Sequence, residues 1–242
     1  MAIRFRSYKI LRMLLVGCML VCTHAVRSQF YFVNPDNFYN VGFSSLGNRN
    51  TISVSWQHMH ILDGKDKALK IGYGIRYSSF FGAYGDFTSA LSSFGTTPDD
   101  IDTVAFENYR IHSLNLSFYA SFAITKRLEV ELNIDAFGLA YSNPIDGYYN
   151  TLKRKLYTGE GLFQRAQAPR YNVLLGGAND RGSLNSELVI RYWFRRKMGF
   201  KVGIAHMANE MVTDNKLYNG VNRFKITPTM IAVGFTYSPY RL

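Results

Sequence analysis

The sequence predicts an all-β chain, an antiparallel transmembrane β-barrel of about eight strands with long external loops. Three observations predict it. Apolar and polar residues alternate with period two over most of the chain beyond Phe38, and no segment carries an amphipathic helical period. Aromatic residues make up 15% of the chain and charged residues only 19%, rich in rings and poor in charge for a water-soluble domain. The face opposite the apolar one is built from Gly, Ser and Asn rather than Lys and Glu. Small polar residues suit the crowded interior of a narrow barrel, which side chains fill, better than a surface facing water.

Residues 1–28 read as a signal peptide and are set aside before the fold is considered. Arg4, Arg6, Lys9 and Arg12 form a basic front with no acidic residue among them, and an apolar run from Met13 to Ala25 follows. That run is too short to span a bilayer as a helix. Val26-Arg27-Ser28 offers a cleavage site with Gln29 as the mature start. A rival lipobox, Leu15-Val16-Gly17-Cys18, would lipidate Cys18, but only short apolar sequence precedes it and a long apolar tail follows. Both cysteines, Cys18 and Cys22, fall in the excised part, so the mature chain carries no disulfide and no thiol nucleophile. The segment also holds five of the 28 basic residues, leaving 23 against 17 acidic ones and lowering the formal charge from +11 to +6. The remaining basic residues are scattered, which argues against nucleic acid as a partner. A mean hydropathy of −0.10 excludes a helical membrane protein.

Residues 29–242 then read as a single barrel domain. The first strand is expected at 39–45, through Tyr39, Val41 and Phe43. Ile52, Val54 and Trp56 mark the second, and Ile71, Tyr73, Ile75 and Tyr77 the third. Leu114 to Phe122 and Leu128 to Ala136 follow, each apolar at every second position. Leu184 to Phe194, Phe200 to Ile204 and Ile231 to Tyr237 close the series. Tight reversals are expected at Thr125-Lys126-Arg127 and Arg195–Gly199, with a compact turn at Asp63–Asp66. Extended connections are expected at about 82–106, 143–182 and 208–222, apart from a short first one at Gly47–Asn50. This alternation of short and long connections matches membrane barrels with tight periplasmic turns and longer external loops. Both chain ends then lie on the periplasmic side. Glu129, Glu131, Asp135 and Glu187 fall on the polar face, with Arg76, Arg191 and Lys201 available as ion partners. Tyr77, Phe80, Phe81, Tyr141, Tyr192, Trp193 and Tyr237 stand near strand ends, where aromatic girdles form.

On this pattern the mature chain resembles the small outer-membrane β-barrel proteins of Gram-negative bacteria. The resemblance implies a bacterial outer-membrane location, lipid contact and a structural or surface-interaction role, with the long segment 143–182 as the candidate surface for a partner. A narrow channel or transport accessory is the rival within this class. One local motif adds an alternative. Gly203-Ile204-Ala205-His206-Met207-Ala208-Asn209 is similar to the His-x-Ser-Asn motif of outer-membrane lipid A deacylases, which would make His206, with Asn209, the candidate site of a lipid-modifying or lipid-binding protein. Ala208 stands where the nucleophilic Ser would be, so acyl transfer lacks its nucleophile. Glu210 is a candidate orienting acid for His206.

Other constellations carry less. His58 and His60 share a strand face but lack an evident third ligand, so no metal is expected. His112 and Ser113 point to opposite faces and do not pair. The carboxylates at 129, 131 and 135 lack the accessible cleft that glycoside hydrolysis requires, and no cofactor motif is present.

Overall fold

The computed structural model describes residues 33–62, 69–89, 102–151, 163–216 and 221–239. The signal-peptide segment with Cys18 and Cys22, the turn at Asp63–Asp66 and the basic and glycine-rich stretch from Lys153 to Gly161 lie outside them.

Among the described residues twelve strands form: β1 (Val33–Leu46), β2 (Arg49–Ile61), β3 (Leu69–Ser89), β4 (Asp102–Ala123), β5 (Leu128–Tyr141), β6 (Ile145–Thr151), β7 (Phe163–Gln167), β8 (Tyr171–Val173), β9 (Leu184–Trp193), β10 (Met198–Thr213), β11 (Arg223–Ile226) and β12 (Thr229–Tyr237). Eight of them make a closed antiparallel ring. Starting from β1, each pairs with the next in the order β1, β2, β3, β4, β5, β9, β10, β12, and β12 pairs back onto β1 from Tyr39 opposite Tyr237 to Ser45 opposite Ile231. These are the eight strands expected from the alternation. The reversals at Thr125–Arg127 and after Phe194 are as short as expected.

The exterior of this ring is apolar. Val41, Ile52, Ile75, Leu114, Phe118, Leu132, Ile190, Phe200, Val202 and Ile231 all stand exposed on it. A water-soluble protein does not leave so continuous an apolar belt uncovered, whereas a bilayer requires it. β9 and β12 have ten and nine residues, close to the 9–11 that a tilted strand needs to cross the hydrocarbon core.

Inside, the ring is filled. Lys70, Arg76, Arg191 and Lys201 meet Glu129, Glu131, Asp135 and Glu187, all of them buried. Arg191 lies 2.5 Å from Glu131 and 3.3 Å from Glu129, and Lys70 joins Glu129 at 3.3 Å and Asp36 at 3.1 Å. Arg76 approaches Glu187 at 3.5 Å and Asp135 at 3.7 Å, and Lys201 reaches Glu187 at 3.8 Å. Asn115, Ser117 and Asn133 tie the same carboxylates by hydrogen bonds. Each of the four cations thus meets at least one carboxylate, and the four fully enclosed carboxylates are joined at their edge by Asp36, pairing that burial of so many charges demands. Towards the end nearest the chain termini the lumen closes on Phe38, Met59, Tyr119 and Trp193, with the Arg191 guanidinium 4.9 Å from the Phe38 ring centroid.

Above the membrane ring the sheet continues and closes a second time. β3, β4 and β10 have 21, 22 and 16 residues and run past the apolar belt. There β4 pairs with β6, β6 with β7, β7 with β10, β10 with β11, and β11 with β3, so six strands form an upper ring. Its interior is mainly apolar: Phe87, Val104, Phe106, Tyr109, Met211 and Phe224 are buried together, with the buried polar residues Asp102, Gln164 and Thr213 on the same faces. The switch of polarity follows the change of solvent. Where lipid lies outside, polar side chains turn inward; where water lies outside, apolar ones do.

Several expectations are corrected here. Within the described residues, the segments at 82–106, 143–182 and 208–222 carry the β3 and β4 extensions, β6, β7, β8 and the upper end of β10; residues 90–101, 152–162 and 217–220 of them lie outside the described residues. β1 is longer than 39–45. Phe80 and Trp193 are buried inside, not on a girdle, whereas Tyr77, Tyr141, Tyr192 and Tyr237 do face outward. Ala136 does not continue the outward row. Leu116 pairs with Phe137 and Ser117 with Asp135, so Ala136 is the extra residue of a bulge and the outward phase resumes at Phe137.

Candidate functional site at the rim of the barrel

The upper limit of the lipid-facing surface can be read strand by strand. On β10 the outward residues run Phe200, Val202, Ile204 and then His206. Ser186 follows Leu188 on β9, and Thr229 precedes Ile231 on β12. Register places these three polar residues in one row, His206 opposite both Ser186 and Thr229. The His206 Nδ1 and Thr229 Oγ1 are 2.9 Å apart, and the Ser186 hydroxyl donates to the His206 carbonyl at 3.3 Å.

His206 is therefore outward and exposed, as its phase predicts. Asn209 is not beside it. It faces the interior, fully buried, accepting a hydrogen bond from the Ser183 hydroxyl at 2.5 Å. The structure does not bring the two together, because an odd separation on a strand puts side chains on opposite faces. Glu210 shares the outward phase but is committed elsewhere: it pairs with the Arg223 guanidinium and accepts from the Gly182 N–H at 2.7 Å. The hydroxyl that meets His206 belongs to Thr229 on the neighbouring strand, a partner that no spacing within one strand could reveal.

A segment between β8 and β9 hangs over this row. It leaves β8 through Leu174 and Leu175, makes a 3-10 turn at Gly177–Asn179, and returns through Asp180 to Gly182. The Asp180 carboxylate accepts the Leu175 and Gly176 N–H groups at 2.8 and 2.7 Å, fixing the bend. The Asp180 carbonyl accepts from Arg223 at 3.2 Å and from the Lys225 ammonium. Gly182 has φ +81°, and a Cβ there would meet the Asn172 side chain, so the return is a glycine position. Burial holds the Lys225 ammonium below the usual lysine range, with Glu210 opposing that shift.

Beneath the overhang runs a groove of about 830 Å³, within the range of small-molecule sites. Its walls come from five strands and the overhang. Following the strand order, Ile134 and Asp135 on β5 and Leu184 and Asn185 on β9 lie towards one end, His206 and Ala208 on β10 in the middle, and Lys225, Thr227, Thr88 and Ser89 towards the other, with Leu174, Leu175 and Asp180 of the overhang above. The candidate His thus sits in this groove, although its expected partner does not.

The remaining candidates are structural. Glu129, Glu131 and Asp135 are bound in the lumen network, as the sequence suggested. His58 and His60 stack edge to face with centroids 4.8 Å apart, and Asn37 holds the His58 Nδ1 at 2.9 Å. Among the described residues no group of three or more metal-ligating side chains forms. His112 faces outward against the Tyr77 hydroxyl at 2.8 Å while Ser113 is buried inside.

No family model matches the chain, and no curated protein does. Among solved structures it is similar to neisserial surface protein A, at 10% identity over 84% of this chain and 93% of that one, with a TM-score of 0.37. It is also similar to the N-terminal β-barrel domain of Pseudomonas aeruginosa OprF, at 10% identity over 85% and 99% of the two chains, with a TM-score of 0.38. A third is the Yersinia pestis attachment invasion locus protein Ail, at 8% identity over 85% and 100%, with a TM-score of 0.34.

Proposed function

We propose that this chain is a bacterial outer-membrane barrel with a structural or surface-interaction role, exported by residues 1–28 and presenting its upper ring outside the cell. The observation that supports this most is the filled interior. A charged network occupies the membrane ring and an apolar core occupies the ring above it. Such a barrel has no water path for solutes, which disfavours the channel reading. The upper ring and the segment 143–182 give it a surface for a partner.

The experiment joins three readings on one preparation. The mature protein from the outer-membrane fraction should begin at Gln29 and show heat-modifiable gel mobility. In a planar bilayer it should give no conductance steps. Regular single-channel steps would overturn the sealed-barrel reading, and a protein recovered soluble from the periplasm would overturn the membrane one. Acyl transfer at His206 is not part of the proposal, because position 208 offers no hydroxyl. Replacing His206 by Ala should leave the acylation pattern of outer-membrane lipid unchanged.

A further inference from the structure

The groove at the rim is graded in polarity along its length, and it opens where the apolar belt ends. Directly below its middle lie Ile204, Leu188 and Ile231, the top of the lipid-facing rows. One end is walled by Ile134, Leu174 and Leu184, with the buried Asp135 and Asn185 between them tied into the lumen network, and the overhang presents Leu175 more than half exposed. The other end carries Lys225, whose ammonium donates to the Asp180 carbonyl, with Asp180, Thr227, Thr88 and Ser89 beside it; Arg223, close to Lys225 on the same strand, pairs with Glu210.

A water-soluble ligand would leave the leucine end unsatisfied, and a hydrocarbon would waste the lysine end. An amphiphile fits both. From this grading we infer that the groove binds one membrane lipid with an anionic phosphate headgroup, its acyl chain under Leu174 and Leu175 and its phosphate at Lys225. The site is built rather than incidental. The Glu210–Arg223 pair and the Asp180 carbonyl clamp the overhang to β10 and β11, so the roof stays in place over the bilayer edge. His206 sits midway, where a glycerol or sugar oxygen would pass, and accepts or donates there. The inference rests on the reading of the exterior as lipid-facing, but not on the role proposed for the upper ring.

Native mass spectrometry of the full mature chain tests it, with the protein released from micelles doped with palmitoyl-oleoyl phosphatidylglycerol or the corresponding phosphatidylcholine. The wild type should retain one phosphatidylglycerol after the annular lipids are stripped, and at least tenfold less phosphatidylcholine. Replacing Ala208 by Trp, which fills the groove, should abolish that retained lipid. The same change at Val202, lipid-facing but below the groove, should leave it in place. Lys225→Gln should remove most of the preference for the anionic lipid. Heat-modifiable mobility of each variant separates loss of the site from loss of the barrel, and a milder Ala208→Phe serves if the Trp variant fails to fold. Equal retention by all folded variants would mean annular lipid only and would overturn the inference, as would retention without headgroup preference.

Discussion

Arg191 is the residue on which the lumen turns. It is fully buried, pairs with Glu129 and Glu131, and lies against the rings of Phe38 and Trp193. Replacing it by Leu leaves Glu131 in a closed interior without its cation and Glu129 with Lys70 alone. Breaking a buried pair in this way costs about 3–5 kcal/mol, which should appear as a lowered urea midpoint for the heat-modifiable form. The same variant carrying Glu129→Gln and Glu131→Gln should recover much of that loss, since no unpaired charge remains; failure to recover would mean that ring packing, not charge, sets the cost. This network was legible in the sequence. Parity alone put Arg191 and Lys201 on the face of the carboxylates, and the expected pairs form. Parity also held the answer for Phe80 and Trp193, which share the inward phase of Arg76 and Arg191. They read as girdle residues only because inward was equated with polar. Asn209 reads as a neighbour of His206 only when parity is left out, since three residues along a strand is the opposite face.

At the scale of elements, the overhang between β8 and β9 is what turns a strip of rim into a groove, and nothing in its composition announced it. Its anchoring is long-range: Gly182 to Glu210, Glu210 to Arg223, and Arg223 to the Asp180 carbonyl span three separate stretches of chain. Alternation reports on the two faces of a strand, not on which loop folds back over one of them. The short strands β6, β7, β8 and β11 were missed because runs of three to seven residues are too brief for a period to stand out. The clamp gives a prediction at this scale. Glu210→Gln weakens the ion pair to Arg223, and Gly182→Val forces a branched residue into positive φ against the Asn172 side chain. Both should raise amide hydrogen exchange across 174–182 by at least tenfold while leaving exchange in 128–134 and 186–192 as it was. Increased exchange in the membrane strands as well would show that the overhang is part of the barrel's cooperative unit.

For the whole molecule, the controlling fact is that one continuous sheet closes twice, with opposite polarity in the two rings. β4 shows the inversion within a single strand: Asn115, Ser117 and Ser121 face inward in the membrane, and Val104 and Phe106 face inward above it. Between them sits Asn108 with φ +49°, opposite the point where the pairing skips from Gly82–Tyr109 to Tyr84–Glu107. Asn tolerates that left-handed backbone better than most side chains, and the joint shifts the phase so that the upper apolar residues point inward. The two rings are thus held by different forces, ion pairing within an apolar sleeve below and burial of rings from water above. They should also fail differently. Phe106→Ala removes a fully buried side chain from the upper core, at about 3–5 kcal/mol, and contributes nothing to the lumen. In a lipid nanodisc under rising urea, the amides of 102–106, 147–151 and 223–226 should therefore exchange at lower denaturant in this variant than in wild type. The amides of 114–122 and 188–192 should keep their protection, because the bilayer and the charge network hold them. The planar bilayer should remain silent, since the lower ring is sealed by its own side chains. Joint loss of protection in both sets would show that the barrel unfolds as one unit, with the upper ring acting as a lid on the lower rather than as a second fold built on it.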